Sequence, residues 1–390
     1  MMESPLSVTW LASARAIPAT LWELCFPPPL EGGWWYEALE QSGLDDQFLF
    51  AYAVVSAGQR AVAIAPVFWM DLPISLVAPP ALLPFLQGLG RLFPSLLYQR
   101  TLFVGSPCAD EGRVGMVPGT DPLPVLHCLQ EALWQQLPQR RAAMLVWKDF
   151  PACWEAPFAS LAQTARLFRV ISFPGTVADL PGRSKAGYLA ALTGMRRHNL
   201  KKKWRRSAGQ VTLEVEVQQA PDARTLGVLF ELFMQTYDKA TTRFERLGPP
   251  FFAQMARQPA AHFILLRERQ SGDIVAFMLC FGFEGWVINK FIGIDYRRPR
   301  EWLLYFRLWE AVVDWAESRG ASAIQSGQTG YGAKIQLGHR LVPLTNHGRH
   351  RNPLLHWVYA QVARHVGWHT LDADLAHHLE AHPEASESGQ

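Results

Sequence analysis

Apolar and polar positions along the chain fall into blocks whose periods predict strands and helices in a repeated order. The first clear block is Gln47–Trp69, QFLFAYAVVSAGQRAVAIAPVFW, two β-rich runs joined by a short turn at Ala57-Gly58. A helix-like stretch around Trp34–Ser42 precedes it. A helical segment over Pro124–Leu137 and a strand over Ala142–Phe150 follow. The second half repeats the order. His262–Phe283 reads as a hairpin turning at Ser271-Gly272, and Trp286–Asp295 as a further strand. Between Trp302 and Ser318, the residues Leu304, Leu308, Ala311, Val312 and Trp315 recur at helical spacing. Gly320 ends that helix, and Ser322–Gly327 reads as a short strand.

The helix-to-strand joints of the two halves are alike, QRRAAMLVW in one and SRGASAIQS in the other, which implies an internal duplication. Pro and Gly positions between Arg169 and Arg183 suit a linker, so the expected domains are 1–172 and 173–380. The first half carries an extra apolar insertion, 71–122, broken by Pro and Gly. It reads equally as a lipid-contacting element or as a hydrophobic plug. Residues 382–390, rich in Glu and Ser, read as a disordered tail.

At 390 residues, two domains is the natural size expectation. Hydrophobic residues make up 49% and charged residues 18%, enough apolar material for real cores. A net charge of only +3 means that any anion binding must be local. No uncharged apolar run reaches the roughly 18 residues of a spanning helix, and no basic-then-apolar leader opens the chain. The expectation is a cytoplasmic protein, with peripheral contact to the inner membrane as an option. Five widely spaced cysteines form no CxxC pair, which points to buried free thiols rather than a disulfide frame or zinc site. Fifteen tryptophans, among them Trp22, Trp34, Trp35 and Trp69, suit core packing or a face that meets lipid or an acyl chain. The run Met195–Arg206 holds seven Lys and Arg residues. It suits tRNA backbone, CoA or carrier-protein phosphates, anionic headgroups, or a merely solvated helix.

One order of segments points further. A basic helix, Gly187–Gly209, precedes a strand, Val211–Glu216, and a helix, Leu226–Ala240, before the hairpin. Later comes GQTGYGAKIQLGHRLVPL, Gly327–Leu344. Over about residues 20–355 this resembles the Fem-type peptidyl transferases and the related GNAT-like N-acyltransferases. The resemblance implies an α/β (α+β) fold of tandem GNAT-like domains, each a mixed twisted sheet flanked by helices. It implies attack of an amine on a thioester, acyl-CoA or acyl carrier protein, without a metal. Some relatives make long-chain amides, so a ceramide-synthase-like role on a sphingoid or other lipid amine is one concrete form. The alternative within the family is an aminoacyl-tRNA donor; the alternative outside it is a non-catalytic GNAT-fold module that binds anionic membranes or nucleic acid.

The resemblance also singles out residues. Lys334 and Tyr331 match the family's late tyrosine–lysine pair, the lysine to stabilise an oxyanion or hold a phosphate, the tyrosine to protonate a leaving thiolate. One departure stands out. GNAT acetyltransferases seat the CoA pyrophosphate on a Q/R-x-x-G-x-G/A loop at a helix N-terminus. The corresponding IGIDYRRPREWLLYF has no glycine pair, leaving Arg297, Arg298 and Arg300 to hold phosphates by charge. Arg197 and Lys201 of the basic helix are further phosphate candidates.

Aminolysis needs a deprotonated amine, close reactants and a stabilised oxyanion, but no side-chain nucleophile. Asp295 and His339, with Glu284, are the candidate bases at strand ends. Each also has an ordinary reading: Asp295 capping the next helix, His339 bonded in a loop, Glu284 on the surface. Gly327–Lys334 mimics a phosphate-binding loop, but Ala333 precedes the lysine and Ile335 replaces the Mg²⁺-binding hydroxyl, which argues against nucleotide hydrolysis. The late histidines His347, His350, His377, His378 and His382 lack a convincing carboxylate partner, so no metal is expected.

Overall fold

A computed structural model describes residues 5–73, 98–240 and 245–382. Residues 74–97 of the expected apolar insertion and nearly all of the tail expected to be disordered lie outside the described residues, while the rest of the insertion supplies two strands of the first unit. The chain divides into two compact units. The first holds the described residues up to Glu40, then Leu44–Pro174, and those from Pro343 onward; the second holds Gln41–Gly43 and Gly175–Val342.

The first unit opens with strand β1 (Leu6–Leu11) and helices α1 (Ala19–Cys25) and α2 (Gly33–Glu40). The hairpin β2 (Leu49–Ala57) and β3 (Arg60–Pro73) follows, turning on Gly58 at φ 61°. Then come β4 (Tyr98–Val104), β5 (Gly115–Met116), α3 (Pro122–Gln139), β6 (Met144–Pro151), α4 (Glu155–Ala165) and β7 (Phe168–Ile171). The second unit runs β8 (Gly175–Asp179), α5 (Lys185–Ala191), α6 (Gly194–Ala208), β9 (Leu213–Gln218), α7 (Ala223–Lys239) and α8 (Pro249–Met255). It continues with β10 (Ala261–Glu268), β11 (Ile274–Phe283), β12 (Trp286–Ile294), α9 (Leu304–Ser318), β13 (Ala323–Gln325), α10 (Tyr331–Gln336) and β14 (Arg340–Val342). The last stretch is β15 (Leu344–His350), α11 (Pro353–Ala363), α12 (Trp368–Leu371) and α13 (Ala373–Ala381).

The duplication is visible in the sheets. The first has the order β1-β2-β3-β4-β6-β15-β7, with β5 beside β3; the second has the order β14-β8-β13-β12-β11-β10-β9. In each, an antiparallel meander leads to one parallel pair, β4 with β6 and β12 with β13. One helix makes each crossover, α3 in the first and α9 in the second, so the alike joints are the two crossovers. A parallel pair requires such a crossover, because a tight turn returns the chain antiparallel.

Local reasons are plain. Helix α9 buries Leu304, Leu308, Ala311, Val312, Val313 and Ala316 against its sheet. It ends where Gly320 takes φ 65° and Ala321 N–H donates back to the Ala316 carbonyl at 2.9 Å, a glycine-dependent C-terminal cap. In the first unit, Trp147, Phe150 and Phe158 pack edge-on within 5.9 Å of one another and are buried. Each such ring contributes about 2–3 kcal/mol of burial.

Two expectations meet a different arrangement. The segment expected as a linker is strand on both sides of Pro174: β7 pairs β15 in the first sheet, and β8 pairs β13 and β14 in the second. The expected second domain ran unbroken to residue 380, but the chain returns at Pro343 and β15 inserts between β6 and β7. Trp22, Trp35 and Trp69 are core residues. Cys25, Cys108 and Cys280 are buried as expected, whereas Cys153 is exposed.

Candidate functional site

In the second unit, β12 and β13 stay paired for three residues only, ending at Ile288 opposite Gln325. Strand β12 runs on to Ile294 while β13 stops, so the two strands part. On the far edge of β12 the register with β11 shifts between Leu279 and Cys280, and Lys290 is the extra residue. A bulge bends the strand and re-aims neighbouring groups. The vertex of the opening is therefore marked by Asn289 on β12 and Ser326 just after β13, where Asn289 Nδ2 donates to Ser326 Oγ at 3.4 Å.

The chain leaves Ser326 through a loop with Gly327, Thr329 and Gly330 all at positive φ. Thr329 at φ 64° is a β-branched residue in left-handed backbone, a strained position that its surroundings must hold. Lys334, one turn into α10, does the holding. Its ammonium donates to the carbonyls of Ser326, of Gly327 at 3.2 Å and of Gln328 at 3.1 Å. Three N–H donors meet three converging carbonyls, which satisfies the donors of a buried cation.

His339 sits under the same loop. Its Nδ1 faces the Lys334 carbonyl at 3.0 Å and its Nε2 faces Ser326 Oγ at 3.2 Å. A carbonyl only accepts, so Nδ1 carries the proton and Nε2 accepts from the serine hydroxyl. Burial first, and the Lys334 charge second, push the imidazole down to about 3. His339 is thus neutral and a weak base at neutral pH. It orients Ser326 rather than taking a proton from an amine. Trp309 backs the ring at 4.7 Å and donates from Nε1 to Tyr188 Oη at 3.0 Å. Tyr188 in turn donates to the Leu337 carbonyl at 2.7 Å. Tyr331 is fully buried at the start of α10.

Asp295 belongs to a different place. It lies six residues beyond Asn289, roughly 20 Å along the strand at about 3.3 Å per residue. Its carboxylate accepts from Arg297 Nε at 2.7 Å and from Arg298 Nε at 3.1 Å. Burial pushes this carboxyl up, but the hydrogen bonds from Arg297 and Arg298 outweigh it and hold Asp295 below the usual range. Arg298 also binds Glu268 at 3.0 Å and Asp273 at 2.6 Å. Two arginines are matched by three carboxylates, so Arg297 and Arg298 are committed to structure and not to a phosphate. Arg300 is exposed on the same loop. Nearby edge donors of β12 are likewise taken: Ile294 N–H donates to Thr236 Oγ1 at 3.1 Å, and Tyr296 N–H to Gln235 Oε1 at 3.1 Å.

The basic helix α6 divides in the same way. Arg197 donates from Nη1 to the Leu189 and Ala190 carbonyls at 3.3 and 3.4 Å, closing the C-terminal end of α5. Lys203 lies over the Phe306 ring at 3.7 Å and donates to Gln336 at 2.7 Å. Lys201, Lys202, Arg205 and Arg206 are exposed and, among the described residues, have no carboxylate partner. The structure therefore brings Lys334 and His339 together, with Tyr331 at the start of the helix that carries Lys334, and leaves Asp295 and its arginines apart. Ser326 and Asn289 were missed from sequence. The signal for Asn289 is a polar pair, Asn289-Lys290, inside an otherwise apolar strand.

No family model matches the chain, and no curated protein matches it. Solved structures share its fold. The crystal structure of FemX superposes with a TM-score of 0.59 at 9% identity, covering 90% of this chain and all of that one (100%). A tandem GNAT protein from the clavulanic acid biosynthesis pathway gives 0.51 at 11% identity, over 89% of this chain and 99% of that chain. A conserved protein of unknown function from Bacteroides thetaiotaomicron gives 0.50 at 12% identity, over 87% and 99%. The fold is thus the tandem GNAT-type α/β architecture that the sequence led one to expect.

Proposed function

We propose that this chain transfers an acyl group from an activated donor to an amine at the opening between β12 and β13. The parting of the two strands carries this reading. Among the described residues it leaves the edge of β12 from Asn289 to Gly293 without a strand beside it, next to the Asn289–Ser326–His339 chain and the loop clamped by Lys334. An extended donor arm adds to such an edge through main-chain hydrogen bonds. Asn289 and nearby main-chain N–H groups would then face the donor carbonyl, where an oxyanion develops. Most of the rate comes from holding amine and carbonyl together, and Lys334 contributes by fixing the loop. The donor expected first is a thioester, acyl-CoA or acyl carrier protein, and the acceptor an amine, with a lipid or sphingoid amine as one form.

A second reading, an aminoacyl-tRNA donor, draws on two observations. The Arg297–Arg298 loop is neutralised, and α6 presents Lys201, Lys202, Arg205 and Arg206 to solvent. Release of thiol from acyl-CoAs of varied chain length, with a panel of amines, tests the first; RNase sensitivity of the activity tests the second. Asn289→Ala is expected to lower turnover by about tenfold or more, the effect of removing one oxyanion donor or orienting contact. Native rates in Asn289→Ala and in Ser326→Ala would remove this opening as the site.

A further inference from the structure

The first unit carries a surface that acyl transfer does not use. Helix α11 is anchored on one side only. His356 and Tyr359 pack on Phe168 with ring centroids 5.5 and 6.2 Å apart, and Tyr359 Oη donates to Gln99 Oε1 at 2.9 Å. The other side faces water: Leu354 is 68%, Leu355 43% and Trp357 59% exposed. At 100° per residue these three, with the half-buried Val358 and Val362, span one arc of the helix. An exposed apolar arc of this kind marks a contact surface.

Its border is cationic. Between α11 and the α4–β7 turn lies a cavity of about 390 Å³ lined by Arg166, Arg169, Arg364, His356, Phe168 and Ala360. Glu155 meets Arg169 at 3.7 Å. Among the described residues no carboxylate pairs with Arg166 or Arg364. Burial first, and then the Arg349 and Arg166 charges, hold His356 below its ordinary value, so the cavity does not gain a further cation from it at neutral pH.

We propose that α11 lies in the surface of a membrane containing anionic phospholipid, with Leu354, Leu355 and Trp357 in the acyl boundary and headgroup phosphates in the Arg166–Arg364 cavity. An exposed apolar arc bordered by cations without a carboxylate partner among the described residues is what such a surface needs. A nucleic acid would use the cations but leave the apolar arc in water. This proposal stands independently of the acyl-transfer reading.

The test is co-sedimentation of the full chain with vesicles. Binding is expected to vesicles of equimolar phosphatidylcholine and phosphatidylglycerol and not to phosphatidylcholine alone. Arg166→Gln with Arg364→Gln should weaken it about 30-fold, the factor two surface arginines supply at about 1 kcal/mol each. Leu354→Ser with Trp357→Ser should abolish it, and Trp357→Ser alone should weaken it. All four positions are surface sites, and an unchanged thermal midpoint checks that the variants fold. Thiol release with soluble donors and amines should be unchanged in every variant, so loss of docking and loss of chemistry are read separately. Equal binding to both vesicles, no binding, or vesicle binding that survives Leu354→Ser/Trp357→Ser overturns the proposal. So does binding of bulk tRNA that depends on Arg166 and Arg364 while vesicles are ignored; that result would assign the surface to nucleic acid.

Discussion

Replacing Lys334 by methionine removes a charge and keeps the volume, so the change isolates the ammonium. Three carbonyls, those of Ser326, Gly327 and Gln328, then lose their donor together. A buried acceptor left unsatisfied costs about 1–3 kcal/mol. Against this, the native state no longer has to bury an ammonium, which returns part of the loss. The loop also carries the strained Thr329, which the clamp holds at φ 64°. The net expectation is a loss of about 3 kcal/mol, with water entering the loop to satisfy some carbonyls. For a unit of this size that lowers the midpoint of thermal unfolding by roughly 6–12 °C. Lys334→Arg is expected to lose nearly as much, because a planar fork cannot converge on three carbonyls as a compact ammonium does. Tryptophan fluorescence and circular dichroism follow the melt, with the two units analysed as separate transitions. If Lys334→Met melts with the native protein while turnover vanishes, the clamp is not what Lys334 does, and a direct role on the reacting atoms takes its place.

Arg298→Ala should destabilise the second unit by about 1–3 kcal/mol, since it strips Glu268 and Asp273 of a partner and leaves the buried Asp295 with Arg297 alone. The KM for donor should stay unchanged; a raised KM at native stability would return Arg298 to phosphate binding. Gly293→Ala puts a Cβ 2.6 Å from Phe233 N and 2.7 Å from the Leu232 carbonyl carbon, where α7 crosses β12. Main chain cannot swing aside as a side chain can, so the cost is about 1–3 kcal/mol, read as a lower urea midpoint. Acidification should also destabilise the second unit through His339, whose value falls from 6.5 unfolded to about 3 folded. Between those values the unfolded chain binds the extra proton, so stability is full above about 6.5 and declines toward 3, by at most about 1.4 kcal/mol per pH unit. His339→Gln should flatten that slope; an unchanged slope would show that the imidazole is not held neutral.

The sequence was readable where burial follows a local period. Both hairpins, the α9 amphipathic face and its glycine stop are set by neighbours in sequence, and each lies near its expected place. Strand β15 was not readable, for a physical reason. LTNHGRH shows no apolar alternation, and its partners β6 and β7 lie more than 170 residues earlier in the chain. The strand is held by hydrogen bonds on both edges and by particular contacts, such as His347 stacked on Phe158 at 4.3 Å, that no period encodes. The arginine cluster failed in the same way. Counting Arg297 and Arg298 gives a basic loop, but Glu268 and Asp273 reach it from the far hairpin and cancel it. Lys334 and His339 stand out in the sequence by their type, while the atoms they meet, three loop carbonyls and the Ser326 hydroxyl, depend on the fold.

A net charge of +3 therefore hides cations of two kinds. Those at Arg297 and Arg298 are matched, and an anion there would first have to break bonds to Asp295, Glu268 and Asp273. Those on α6 are not matched. Lys201 with Arg205 and Lys202 with Arg206 are like charges one turn apart, which cost the helix a few tenths of a kcal/mol each. The helix persists because Leu200, Trp204 and Ser207 are buried, with Trp204 Nε1 donating to the Phe306 carbonyl at 2.9 Å. Packing holds the charges in place and repulsion works against it. A polyanion that binds α6 relieves that repulsion, and binding to the folded state alone stabilises it further by mass action. An anion that binds only the folded chain raises its stability wherever it sits, so the difference lies in affinity: binding at Arg298 is weakened by the ion pairs it must break, and binding at α6 is strengthened by the repulsion it relieves.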